Sequence, residues 1–96
     1  MSRAAKFCLR LYVADGAQNS TLARANLTAL CQAHLPVAPE IEVVDVLKQP
    51  ERALADGVFM TPTLVKILPL PVKRVVGTLS QAQTVLHALG LDSSAT

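Results

Sequence analysis

The chain has 96 residues, 51% of them apolar, and a formal net charge of +2 at pH 7. That length makes one domain rather than two, and it buries about 60–70% of the surface an unfolded chain exposes, so no disulfide staples are required. So small a charge, with Phe7, Tyr12 and Phe59 the only aromatic residues, excludes a phosphate-tracking or base-stacking surface. No apolar run reaches the ~20 residues of a membrane helix.

Residues 7–13 alternate. Phe7, Leu9, Leu11 and Val13 share one face and Cys8, Arg10 and Tyr12 the other, which is the period of a strand. The second face is only partly polar, so the strand is expected to be covered on both sides. A loop over 15–19 comes next, where Gly16 and Asn19 suit turns. Asn19 or Ser20 can then cap a helix. Ala23, Leu27, Leu30, Cys31 and His34 recur in it at helical spacing. It ends before Pro36, because the residue before a proline resists the helical region. His34 falls in its last turn, where a basic group suits the helix dipole.

Residues 41–46 form the next strand, with Ile41, Val43 and Asp45 opposite Glu42, Val44 and Val46. One helix joins the two strands, so they are expected to run parallel. Asp45 is read as bonding a nearby backbone group. Pro50 opens a short helix at its tolerated first position, and Gly57 closes it. Residues 63–68 and 72–76 are rich in β-branched side chains. Pro69, Leu70 and Pro71 between them are too few for a crossover, so these strands pair as an antiparallel hairpin. Gly77 breaks the second strand. Ser80 with Gln83 reads as a capping box. The last helix carries Ala82, Val85, Leu86 and Leu89 as its stripe and ends at Gly90. Residues 92–96 are a polar tail expected to fray. The fold class is α/β, ordered βαβ(α)ββα, with a four-stranded mixed sheet and helices on both faces. The whole of 1–96 is one domain with its core over 7–91.

Little in this pattern calls for catalysis. Cys8 and Cys31 form neither a CxxC pair nor a metal-ligand cluster. They read as two buried thiols, and the sequence leaves a Cys8–Cys31 disulfide open. No cofactor or metal is implied. Residues 1–6 are short and basic, but Arg10 interrupts the apolar stretch after them, so no leader is expected and the chain reads as cytosolic. Lys66, Lys73 and Arg74 read either as a solvated basic edge or as a contact surface for an acidic partner.

Thr61-Pro62-Thr63-Leu64-Val65, a hairpin, and Val76-Gly77-Thr78-Leu79-Ser80 before a final helix resemble the second half of a thioredoxin. That resemblance implies a cis bond before Pro62. The first half fits as well, except that Ala14 to Ser20 stand where a thioredoxin carries its CxxC. Neither an attacking nor a resolving thiol is present there.

The runs Leu11-Tyr12-Val13-Ala14, Val44-Asp45-Val46-Leu47-Lys48, Thr61-Pro62-Thr63-Leu64 and Leu68-Pro69-Leu70-Pro71-Val72 resemble the KaiB family over nearly the whole chain. The family resemblance implies a non-catalytic clock protein that binds the ATPase KaiC, helps sequester KaiA and displaces a sensor kinase. It also implies two folds: a monomeric thioredoxin-like form that binds KaiC, and an alternative βαββααβ form stored as a tetramer. The rearrangement falls in the C-terminal half, which makes Pro62, Pro69, Pro71 and Gly77 the expected fold-switch residues. Lys66 and Arg74 match basic family positions. Glu40 and Glu42 reverse the charge of a family contact, and all four are the expected partner-binding residues. The thioredoxin-like form is expected to be the main state. Two other readings stand beside this one: a sensory or interaction module of a signalling system, and a degenerate thiol oxidoreductase.

Overall fold

The computed structural model describes residues 6–91. Its elements are β1 (Cys8–Val13), α1 (Gln18–His34), β2 (Glu40–Asp45), α2 (Pro50–Ala55), β3 (Thr63–Leu68), β4 (Lys73–Val76) and α3 (Ala82–Leu89). This is the order expected from the sequence. The expected fraying of 92–96 lies outside the described residues.

The strands form one mixed sheet in the order β2-β1-β3-β4. β1 and β2 run parallel, and β3 runs antiparallel to β1 and β4. Alternation along β1 sends Leu9, Leu11 and Val13 into a core shared with Leu27 of α1 and Leu89 of α3. The opposite face places Tyr12 in a smaller core with Val44, Ala53, Val58 and Val65. Helices therefore cover both faces, and Tyr12 has no exposed surface. Burying a leucine or valine side chain stabilises by about 1.5–3 kcal/mol. α1 and α3 bring many such side chains to the sheet. α2 buries only Ala53, so apolar contact alone holds it weakly.

Several local expectations are corrected. β2 starts at Glu40, one residue early, where the Glu40 N–H donates to the Phe7 carbonyl at 2.8 Å. β4 starts at Lys73, one residue late. Asn19 and Ser20 do not cap α1. Both lie inside it, and Ala17 at the N-cap makes no side-chain bond. Ser20 is buried, and its Oγ accepts the Ala14 N–H at 3.0 Å, tying the helix back to the end of β1. The Ser80–Gln83 box does not form either: Gln81 is the N-cap of α3 and makes no side-chain bond. Cys8 and Cys31 are free. They lie on opposite faces of the sheet, Cys8 beside Glu40 and Cys31 in the larger core, so a disulfide between them is ruled out. Burial pushes the Cys31 thiol up from its ordinary pKa. Asp45 behaves as expected, its Oδ1 accepting the Leu47 N–H at 2.9 Å.

The bonds before Pro62, Pro69 and Pro71 are cis. The Pro62 carbonyl accepts the Gly77 N–H at 2.9 Å. Gly77 has φ +117, and a Cβ there would meet nothing within 4 Å. The cost of a side chain is therefore conformational, not steric. Gly77→Ala is expected to lower stability by about 1–3 kcal/mol in urea denaturation. An unchanged midpoint would contradict this reading of the β4 stop.

Candidate functional site

The α2 face of the sheet carries a polar network that fastens α2 to the strands. Register puts Arg10 of β1 opposite Glu42 of β2. Arg10 Nε donates to Glu42 Oε1 at 3.0 Å, and its Nη1 donates to Asp56 Oδ2 at 2.7 Å. Arg52 of α2 closes a two-pronged pair on Glu42 at 2.6 and 2.7 Å. Such paired N–H···O contacts are the geometrically specific ones. The Tyr12 hydroxyl reaches the Asp56 carboxylate and lies 3.1 Å from the Arg52 carbonyl. Arg74 of β4 donates from Nε and Nη2 to the Asp56 carbonyl at 3.1 and 2.6 Å. Three strands thus grip the C-terminal end of a six-residue helix.

The charges follow from these contacts. The guanidinium of Arg52, and then that of Arg10, hold the Glu42 carboxyl down to about 2. Asp56 is lowered too, first by the Tyr12 hydroxyl and then by Arg10, against the effect of burial. Burial works against the Arg10 charge, but the Asp56 and Glu42 carboxylates outweigh it and keep the guanidinium firmly protonated. Burial, then the Asp56 contact, raises Tyr12. A carboxylate with a depressed folded pKa stabilises fully above its unfolded value and loses that contribution as pH falls through its folded value. The advantage of the native chain over Glu42→Gln should therefore be full above about pH 4.5 and shrink as pH falls toward 2. Urea midpoints of both proteins across that range check this. A gap that stays constant would contradict it.

The anchored helix presents the segment after it. Phe59 is 82% exposed and Met60 64%. They separate a cleft of about 150 Å3 lined by Val46, Ala53 and Val58 from one of about 130 Å3 lined by Thr63, Arg74 and Val76. Leu47, Leu54 and Val76 are exposed as well. An exposed apolar patch with a charged rim is the usual mark of a contact surface.

The structure distributes the sequence-predicted residues unevenly. Glu42 and Arg74 join the network. Glu40 is exposed on the same face, 3.6 Å from Lys6. Lys66 is not the solvated edge residue expected, because β3 is an interior strand. It is 4% exposed and faces the opposite side, in register with Leu9 and Lys73. Burial, then Lys73, lowers its pKa. Sequence reasoning missed Arg10, Arg52 and Asp56, and it missed Phe59 and Met60. The available signal for the last two was a pair of large apolar residues in a stretch without strand or helix period.

The fold also bears on redox chemistry. Register pairs Tyr12 with Thr63, so Pro62 lies level with the end of β1 that leads into α1. In that junction Ala14, Asp15, Gly16 and Ala17 offer no thiol.

Comparison with known proteins agrees with this architecture. The KaiB domain profile matches residues 10–91. The circadian clock protein KaiB3 of Synechocystis sp. is 41% identical over 87 residues, which are 91% of this chain and 83% of that protein. The circadian clock oscillator protein KaiB of Synechococcus elongatus is 41% identical over 92 residues, 96% of this chain and 88% of that one. Among solved structures, the N-terminal domain of Synechococcus elongatus SasA superposes with a TM-score of 0.75 at 23% identity, covering 97% of this chain and 91% of that domain. Mitochondrial thioredoxin 3 of Saccharomyces cerevisiae gives 0.70 at 17% identity, covering 88% and 77%. These two establish a thioredoxin-like fold. With the profile spanning β1 to α3 and two relatives alike over nine-tenths of its length, the chain belongs to the KaiB family.

Proposed function

We propose that this chain is a non-catalytic clock regulator that binds a KaiC-like ATPase through the α2 face of its thioredoxin-like fold. The observation that carries the reading is the exposed Phe59–Met60 pair, set on a helix end that Arg10, Tyr12 and Arg74 hold in place. Preorganised apolar anchors contribute most of the energy at interfaces. Arg74 lines the cleft beside Phe59 and Met60, Glu42 is fixed by Arg52 of the anchored helix, and Glu40 stands at the other end of β2, beside Cys8; their charges tune encounter with the partner. Lys66 lies on the other face, outside this contact. The thiol-free junction after β1 supports a binding role over oxidoreductase chemistry. In an insulin-reduction assay the chain is expected to show no turnover above background, with or without Cys8 and Cys31.

The chain acts as a cytoplasmic monomer in this state, and a KaiA-like protein or a sensor kinase are further partners that the family relation suggests. Pro62, Pro69, Pro71 and Gly77 mark the half that rearranges in a KaiB-type switch to a tetramer. The thioredoxin-like form is the main state, so one dominant set of amide resonances is expected. A larger second set in slow exchange, belonging to the other fold, would overturn that. Pull-down with the KaiC-like protein of the same genome, under ATP-hydrolysing conditions, tests the binding role. A stoichiometric complex is expected, and its absence would sink the proposal.

A further inference from the structure

β4 is an edge of the sheet, and no strand lies outside it among the described residues. Its four residues are Lys73, Arg74, Val75 and Val76, preceded by Val72, which is 46% exposed. Pro71 stops short of this stretch, so every residue from Lys73 to Val76 keeps its N–H. An edge of this kind offers backbone donors and acceptors to an incoming strand.

The charge on this edge is one-sided. Lys73 and Arg74 point to opposite faces, as alternation requires. On the α3 face Lys73 stands directly across from Lys66. Like charges opposed on neighbouring strands destabilise the pair. Lys66 has its stem buried and, among the described residues, no hydrogen bond or ion pair, and none of its polar atoms is sealed from solvent without a partner. Two lysines therefore stand opposite each other, with no carboxylate bonded to either among the described residues. On the α2 face Arg74 spends Nε and Nη2 on Asp56 and keeps Nη1. Beside it lies the cleft of about 130 Å3 floored by Val76 and Thr63. From Val72 to Val76 the edge thus reads apolar, basic, basic, apolar, apolar.

We propose that the β4 edge is a docking site for an extended acidic segment of a partner protein, which adds to the sheet as a fifth strand. One carboxylate of that segment meets Lys73, which stands beside Lys66, and the next residue's carboxylate meets Arg74 on the other face. An apolar residue two positions from the second, and so on the same face, fills the cleft at Val76. Two copies of this chain do not satisfy the site by pairing β4 with β4, because both edges are basic. On the α2 side the docked strand shares Arg74 and the cleft at Val76 with the proposed ATPase contact, but the addition of a strand along β4 does not rest on that reading.

The test uses the full chain, 15N-labelled, titrated with the peptide acetyl-Thr-Val-Thr-Glu-Asp-Thr-Val-Thr-amide, whose adjacent acids point to opposite faces and each have a valine two positions away. Shifts and slowed amide exchange are expected over residues 73–76. Lys73→Glu, an exposed change that leaves the fold intact, should weaken binding at least tenfold, and Lys73→Arg should restore it. A peptide with lysine in place of each acid should not bind. Absence of binding at millimolar peptide would overturn the proposal. So would shifts centred on β2 or on helix α2, or salt-sensitive binding that leaves amide exchange at 73–76 unchanged. Dimerisation of the free chain through β4 would overturn it too, by assigning the edge to a second copy.

Discussion

Tyr12→Ala is expected to lower stability by about 3–5 kcal/mol, the usual cost of deleting a buried aromatic ring. Tyr12 is fully buried and is the largest member of the smaller core, which also holds Val44, Ala53, Val58 and Val65. That core has few other residues to close the space. The loss would shift the melting temperature by roughly 12–40 °C at about 4–8 °C per kcal/mol for a domain near this size. Tyr12→Phe separates packing from polarity. It keeps the ring and removes only the hydroxyl at Asp56 and the Arg52 carbonyl, so about 1–3 kcal/mol is expected. Urea denaturation of the two variants reads both. Equal losses would show that the hydroxyl alone matters, and a negligible loss for alanine would show that the α2 face contributes nothing to folding.

The second large effect concerns binding. Replacing Phe59 and Met60 together by alanine is expected to weaken the complex with a KaiC-like ATPase at least thirtyfold, since truncating hot-spot anchors costs about 2 kcal/mol or more. Stability should hardly change, because both side chains are more than half exposed. That split is diagnostic. A merely structural pair would lower stability and affinity together. Isothermal titration with urea denaturation of the same protein measures both quantities. Unaltered affinity would remove the patch from the interface.

The sequence was a good guide where structure depends on local pattern. Alternation in β1, the short connection through Pro69 and Pro71 and the αL glycine at Gly90 each have a single local explanation, and each appears as expected. It was a poor guide where the deciding contact lies far along the chain. Glu42 looked like a charge turned toward a partner. Its neutralising arginines stand 10 and 32 residues away, and only the β1–β2 register brings the farther one across. Lys66 looked like an edge residue because a hairpin does not reveal that β1 pairs on its other side. In both missed caps the serine hydroxyl engages a group that precedes the helix, Ala14 for Ser20 and Thr78 for Ser80. A hydroxyl near a helix start can bond backward as easily as into the helix, and Ser20 does so. The thiol-free junction after β1 was fully legible, since it depends only on which residues are present.

The central claim is that a thioredoxin-like fold without thiols presents its α2 face to the partner. Hydrogen exchange of the full chain, alone and with a KaiC-like ATPase hydrolysing ATP, tests it most directly. Added protection is expected over residues 54–60, with the outer part of β2 next. Protection confined to α1 and α3, or none at all, would contradict the claim.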